Sequence, residues 1–527
     1  MTKPVFQNLS PDAAAYITTL ERGMEEMRAE IERLSTIIRL SNKARFGPSS
    51  EKAKYLELLA HGHLSLFDEA EMLNDNTAPE PDTEAVVVDK HTRKPKRTKD
   101  ELSKTLPVEE IVLELPENEQ SCGICEHSLR PIGKTLVRRE LNIIPAKAYV
   151  TELYQTTYAC DACETETDEP NIVKAPVPVP VVKRGLASPG AVAYTMYQKY
   201  ANAMPLYRQE KDWRNFGVDI SRATLANWII YTSTKWLMPL WTQLKNRLLT
   251  SAVILADETV VQVLKEPGKT PQSDSRMWVY CTGSGCGPPV VLYEYQPSRG
   301  KEHPKRFLEG APPGFYLHTD GYAGYNGVKG AVHCGCFAHL RRKFNDALPK
   351  GVNKECKALE GLAFCQQLFK LEDGWVDLSP EERFRQRLAQ SKPVLDMFFA
   401  WLETVDPLKG SKLADAVTYA RNQRAPLSAF LLDGRIELST NRIENAIRPF
   451  ALGRKNFLFS DTVNGAKASA AAYSIIETAK ANGLNPYHYL LYLFSKLPSV
   501  LSADREADLS DVFPWAAGVR DACRLFG

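Results

Sequence analysis

Two aspartates close apolar runs in this sequence. SAVILAD ends in Asp257 and GFYLHTD ends in Asp320. A carboxylate that closes a buried strand is held rigidly at a domain edge. Two of them on neighbouring strands suit a hard divalent cation, because Mg2+ takes oxygen ligands and keeps several waters. A pair of such ions roughly 3.5–4 Å apart activates the attacking oxygen and stabilises the leaving oxygen of phosphodiester cleavage. A lone aspartate at a strand end is usually a turn residue. Two on strands expected to be neighbours, followed by an acidic helix in basic surroundings, favour metal chemistry.

A second set of chemistry-bearing residues lies earlier in the chain. Cys122-Gly-Ile-Cys125 and Cys160-Asp-Ala-Cys163 are CxxC knuckles about 35 residues apart. Four thiolates suit tetrahedral Zn2+ and leave no open coordination position, so this metal is expected to be structural. The stretch LVRRELNIIPAKAYVTELYQTTYAC between the knuckles alternates apolar and polar residues and reads as strands. His127 is a weaker substitute ligand.

The elements that must position the aspartates follow from local texture. SAVILADETVVQVL, RMWVYCTG and PVVLYEYQ predict three strands in an antiparallel meander, joined by Gly/Pro/Ser-rich turns. KEHPKRFLEG reads as a short helix before the strand that ends in Asp320. This βββαβ order opens a ribonuclease H-like fold, whose first carboxylate lies on the first strand and whose second ends the fourth. Residues from about 350 to 430, including LEGLAFCQQLFKL and PVLDMFFAWLETV, read as helices. They form an all-helical insertion, too long for the bare core.

Upstream, PLYRQEKDWRNFGVDISRATLANWIIYTS reads as a helix-turn-helix with Gly217 at the turn and Ser221 capping the second helix. Such a helix enters the major groove, and Arg222, Thr224 and Asn227 are its candidate DNA contacts. Trp228 and the two isoleucines are expected to pack inward. Nearer the N-terminus, Leu20, Met24, Met27, Ile31, Leu34 and Ile38 alternate steps of four and three, an a/d seam that predicts a short coiled coil and a homo-oligomer. An acidic, Pro-containing stretch then changes sign at Lys90, Arg93, Lys94, Lys96, Arg97 and Lys99, a solvated run or an arm for a phosphate backbone. Basic pairs and triplets recur at Arg341, Arg342 and Lys343 and at Arg454 and Lys455, where Arg suits bidentate phosphate contacts.

The chain of 527 residues, 44% hydrophobic, is long enough for about three to five domains. Its net charge of +2 means that any nucleic-acid surface comes from local clusters rather than bulk charge. No apolar run approaches the roughly 20 residues of a membrane span, and the first residues lack a signal pattern, so a cytoplasmic protein is expected. The fold class expected is multidomain α+β. It partitions into a zipper-like helical region (12–73), a basic linker (74–107), a zinc-binding module (108–175) and a helix-turn-helix region (183–250). The ribonuclease H-like core follows in two parts (251–347 and 436–480) around the helical insertion (348–435), and a C-terminal helical segment ends the chain (481–527).

DETVVQV, HTDGYAGYNG, CFAHLRRKF and NRIENAIRPFALGRKNFLFS together resemble the transposases of the insertion sequence 66 family. The resemblance runs almost end to end, taking in FGPSSEK, the four cysteines and IIETAKANGLNPYHYLLYLF. It implies a DDE catalytic core using Mg2+ or Mn2+, in which Asp257 and Asp320 are the aspartates and Glu444 the third carboxylate. Asn445 stands where the family often has Arg, and Glu437 is the rival for the third ligand. Asn441 and Arg448, three before and four after Glu444, share its helical face, and Ser439 and Thr440 are candidate N-caps. Cys336 and His339 form a Cys-x-x-His pair that such transposases also carry, structural or substrate-positioning rather than catalytic. The resemblance further implies that the insertion holds the transposon end, that terminal inverted repeats and target DNA are the partners, and that the setting is bacterial and nucleoid-associated. Small accessory proteins are often encoded beside such enzymes. Two rival functions are a transposase-derived DNA-binding regulator without catalysis and a nuclease that cuts without joining.

Overall fold

A computed structural model describes residues 147–160, 171–348 and 356–524. The coiled-coil region, the basic linker, Cys122, Cys125, Cys163 and the side chain of Cys160 lie outside the described residues. Of the stretch between the knuckles, Thr157–Cys160 forms β1, which pairs antiparallel with β2 (Asn171–Lys174). Residues 147–156 form no strand, contrary to expectation. Tyr149 and Tyr154 there are 85% and 86% exposed, so these positions have no packing partner among the described residues.

Among the described residues, four helices precede the sheet: α1 (Pro189–Tyr200), α2 (Leu206–Asn215), α3 (Arg222–Thr232) and α4 (Met238–Leu249), with a π-helical turn at Ser233–Leu237. The helix-turn-helix pattern is realised by α2 and α3. Gly217 takes φ +80 in the turn, and the Ser221 hydroxyl accepts the Thr224 N–H at 3.2 Å. Trp228 and Ile229 are buried, and Ile230 is half-buried.

The central sheet is mixed. β3 (Val253–Lys265), β4 (Asp274–Thr282) and β5 (Val291–Gln296) form the expected antiparallel meander. The chain then crosses through α5 (Glu302–Phe307) to β6 (Tyr316–His318), which pairs parallel with β3, and β7 (Val332–Cys334) adds parallel to β6. The strand order is β5-β4-β3-β6-β7. The first four residues of β3 are buried, as an unbroken apolar run requires when both sheet faces are covered.

Next comes α6 (Phe337–Asp346), then the helices α7 (Lys357–Asp373), α8 (Pro380–Gln386), α9 (Lys392–Glu403), α10 (Lys412–Asn422) and α11 (Arg424–Ser428). The chain returns to the sheet through α12 (Asn441–Phe457) and β8 (Ser460–Thr462), which pairs with β3 at Val263 and Lys265. It closes with α13 (Val463–Ala481), α14 (Pro486–Ala503) and α15 (Ala517–Cys523). Helix α13 covers the free edge of β5: Ser474 accepts the Tyr293 N–H at 2.8 Å and Thr478 accepts the Val291 N–H at 3.0 Å. Hydroxyls thus take the place of a missing strand. Among the described residues no helix is long and apolar enough to cross a membrane.

Candidate active site

Strand β3 carries Asp257 at its fifth residue and continues for eight more. The expectation that Asp257 closes its strand is therefore corrected. What ends near it is the pairing with β6. That register joins Val253 to Tyr316, Ile254 to Leu317 and Leu255 to His318. Asp257 and Asp320 each stand two residues beyond the last pair; β6 itself ends at His318, so Asp320 lies in the bend just past its strand rather than closing it as expected. β4 remains paired with β3 as far as Gln262, which keeps the backbone at Asp257 extended and rigid.

The two carboxylates have different settings. Burial pushes Asp257 up to about 7, against a lowering by its hydrogen bond from the Glu258 N–H, 2.7 Å from Oδ1. Negative charge on Glu258 and Asp320 adds to the rise, and His339 opposes it. Asp320 Oδ1 accepts the Tyr322 N–H at 2.8 Å, and its carbonyl accepts the Tyr419 hydroxyl at 3.0 Å. Among the described residues neither aspartate has a Lys or Arg within ion-pair distance. Two oxygen-donor groups at the ends of the β3–β6 pairing, one shielded from water and uncompensated, fit a hard divalent cation.

Glu444 lies in the first turn of α12 and faces α6. Its Oε1 lies 3.9 Å from His339 Nε2 and its Oε2 lies 3.8 Å from Arg342 Nη2. Among the described residues no three His, Cys, Asp or Glu side chains are gathered closely enough to hold a metal ion. The structure thus couples Asp257 with Asp320 and leaves Glu444 held against α6. His339 stands between them, close enough to Glu444 to pair with it and to Asp257 to lower its proton affinity. Glu437 is engaged by Arg442, whose Nε and Nη2 both reach its carboxylate, the shortest contact being 2.9 Å.

Cys336 and His339 join α6 to α12. The Cys336 sulfur is fully buried and accepts both the Thr440 N–H at 3.2 Å and the Thr440 hydroxyl at 3.1 Å. Burial pushes the Cys336 thiol up, but His339 and the two Thr440 donors outweigh it and hold it below the ordinary thiol value. Interaction with Cys336 in turn raises His339 against the effect of burial. Thr440 occupies the N-cap position of α12 without capping it, because its hydroxyl is turned to the sulfur and, at 3.4 Å, to Glu444 Oε1. The expected Ser439 or Thr440 side-chain cap is absent for that reason.

A network beside the aspartates has no counterpart among the sequence-based expectations. Glu258, next to Asp257, pairs with Arg299 Nε and accepts the Tyr325 hydroxyl at 3.0 Å. The Arg299 guanidinium lies 3.8 Å from the centre of the Tyr322 ring, and the Tyr322 hydroxyl donates to the Arg299 carbonyl at 2.7 Å. The signal for it was present in the tyrosines of HTDGYAGYNG, but nothing local linked them to residue 299.

The proposed DNA contacts are dispersed. Arg222 and Asn227 are exposed on α3 and Thr224 is half-buried, while Glu210 accepts the Arg222 N–H at 3.1 Å. Arg341 and Arg342 are exposed on α6, and Lys343 stands over the Tyr419 ring at 5.1 Å. Asn441 and Arg448 are exposed on the Glu444 side of α12. Arg454 donates to the Val260 carbonyl of β3 at 2.9 Å, so it braces the sheet, whereas Lys455 is exposed.

Comparison with known proteins matches this chain to four family models. "Transposase IS66 family" covers residues 184–468, "zinc-finger binding domain of transposase IS66" covers 119–164, and "IS66 C-terminal element" covers 474–515. "Transposase C of IS166 homeodomain" covers 33–111. Among curated proteins, the uncharacterized protein y4qI of Sinorhizobium fredii (strain NBRC 101917 / NGR234) is 28% identical over 519 residues, spanning 95% of this chain and 92% of that protein. The uncharacterized protein y4jD of the same strain is 31% identical over 431 residues, spanning 79% of this chain and 81% of that protein.

Proposed function

The chain belongs to the IS66 family of transposases, and on that premise we propose that it binds the ends of its element, cleaves phosphodiester bonds there and joins the 3′-OH ends to target DNA. The observation that carries this reading is the matched position of Asp257 on β3 and Asp320 just past β6, each two residues beyond the last β3–β6 pair. We read the order β5-β4-β3-β6-β7, three antiparallel strands followed by two parallel ones, as a ribonuclease H-like core. The partition into zipper-like, zinc, helix-turn-helix, core, insertion and C-terminal regions is part of the same proposal.

Asp257 and Asp320 would hold Mg2+ or Mn2+, with Glu444 completing the set. Bound divalent ions would supply activation of the attacking oxygen and stabilisation of the leaving oxygen. The chain itself supplies rigidity and orientation. β3 and β4 hold the Asp257 backbone extended, and the Tyr322 N–H orients the Asp320 carboxylate. His339, Arg342 and Thr440 hold Glu444 on α12. The four zinc-module cysteines would carry a structural Zn2+, and α3 would read the element ends.

Purified protein incubated with labelled duplexes carrying the element ends tests the proposal. Cleavage, and joining of pre-cut 3′-OH ends to target DNA, should require Mg2+ or Mn2+ and stop with chelator. Asp257→Asn, Asp320→Asn and Glu444→Gln should each lose cleavage by at least about a hundredfold while keeping end binding. Wild-type rates in any one variant would remove that residue from the site. Cutting without joining would leave a nuclease.

A further inference from the structure

We propose that Arg299 binds a phosphate of the DNA strand lying at Asp257 and Asp320. This rests on the catalytic reading of those aspartates and adds a substrate contact to it.

Arg299 lies in the loop between β5 and α5, and that loop is braced on both sides. The Trp278 indole N–H donates to the Ser298 carbonyl at 3.4 Å, and the Ser298 hydroxyl bonds His303 Nε2 at 2.7 Å and accepts the Gly300 N–H at 3.2 Å. The side chain is set by Glu258 at Nε and by the Tyr322 ring beneath its plane. Both supports are tied to the aspartates. Glu258 donates its N–H to Asp257, and Tyr322 donates its N–H to Asp320. A cation is thereby fixed relative to both members of the acidic pair.

The same arrangement leaves the outer edge of the guanidinium free. The Glu258 side chain is 3% exposed, whereas that of Arg299 is 44% exposed. The carboxylate takes Nε, and no hydrogen bond to Nη1 or Nη2 occurs among the described residues. An ion pair serving only to neutralise Glu258 has no need of a braced loop or an aromatic platform. A planar fork with its terminal nitrogens open to solvent matches two oxygens of one phosphate. Pre-setting the rotamer lowers the ordering cost when the strand binds.

The test is a scan of labelled element-end duplexes, each with one neutral methylphosphonate linkage, measured by binding in chelator and by cleavage in Mg2+. Wild type should lose roughly tenfold in affinity at one or two linkages at the cleaved bond. Arg299→Met should lose the same factor on ordinary DNA and show no further loss at those linkages, with a lowered melting temperature because the buried Glu258 carboxylate loses its cation. Arg299→Lys should recover part of the loss, because it keeps charge without the fork. Tyr322→Leu should weaken the same linkage effect, which covers the case that Arg299→Met folds poorly. A variant that keeps the full wild-type sensitivity at every linkage would overturn the proposal, as would a lost sensitivity remote from the cleaved bond. Absence of metal-dependent cleavage by wild type would instead overturn the catalytic reading, and the binding scan would still decide the phosphate contact.

Discussion

Asp257 carries a carboxylate that the fold shields from water and provides with no cation. Its proton is therefore held up to about 7, against an ordinary 3.8. A carboxyl whose folded value is raised favours the fold when protonated, so its contribution is full below about 3.8 and is lost as pH rises through about 7. In the metal-free protein, Asp257→Asn should raise the melting temperature near pH 8 by several degrees and change it little below about pH 4. Mg2+ should narrow the difference at the higher pH by stabilising wild type alone. Thermal melts in chelator and in Mg2+ measure both effects. An equal shift at the two pH values would show that the substitution acts through packing.

Among the elements, the helical insertion is organised around a buried cation. Arg387 opens the π-helical turn between α8 and α9, and its side chain is 0% exposed. Nε and Nη2 donate to Glu372 at 2.7 and 2.8 Å, and Nη1 donates to the carbonyls of Phe430 and Asp433 at 2.9 and 3.0 Å. One side chain thus ties α7 to the segment that leads back towards α12. Removing one partner leaves a buried charge uncompensated, which costs about 3–5 kcal/mol, whereas replacing both by apolar groups costs far less. Glu372→Ala should therefore destabilise the protein by about that amount, and Glu372→Leu with Arg387→Met by clearly less. Chemical denaturation of the two proteins decides it. If the double variant were no more stable than the single, Arg387 would be held by packing rather than by its pair. A loosened insertion should also disturb Glu444, since α6 packs against this body and carries His339 and Arg342.

Across the whole molecule, the C-terminal helices join regions distant in sequence. Helix α13 is buried along nearly its whole length and seals the edge of β5 through Ser474 and Thr478. Helix α14 buries Leu490, Leu493, Phe494 and Leu497 while packing on α1, and the Asn485 N–H reaches back to the Cys523 carbonyl at 2.8 Å. Residues 482–524 are therefore part of one core with the helix-turn-helix region and the sheet. Ending the chain after Ala481 exposes several large apolar side chains, each worth about 1.5–3 kcal/mol when buried. The truncated protein should be found mainly in the insoluble fraction, and any soluble part should be cleaved rapidly by protease within α1 and α13. A soluble, protease-resistant truncation would mean that the segment is separable.

Residue types and local periodicity were enough to mark the strands of the meander, the α2–α3 hairpin with its Gly217 turn and Ser221 cap, and both aspartates. Such signals are local: a strand covered on both faces is an unbroken apolar run, and a left-handed turn asks for glycine. Other features depend on pairing between distant residues and left no local trace. The continuation of β3 past Asp257 is set by β4 and by β8, whose three residues, Ser460–Thr462, have no strand texture of their own. The turning of the Thr440 hydroxyl to Cys336 joins positions 104 residues apart, and the Glu258–Arg299 pair joins positions 41 apart. The sequence by itself named the candidate side chains for metal binding, Asp257, Asp320 and Glu444. Only the tertiary structure decided that Asp257 and Asp320 share one edge while Glu444 rests against His339 and Arg342, because strand register and helix packing, not composition, set the distances between charges.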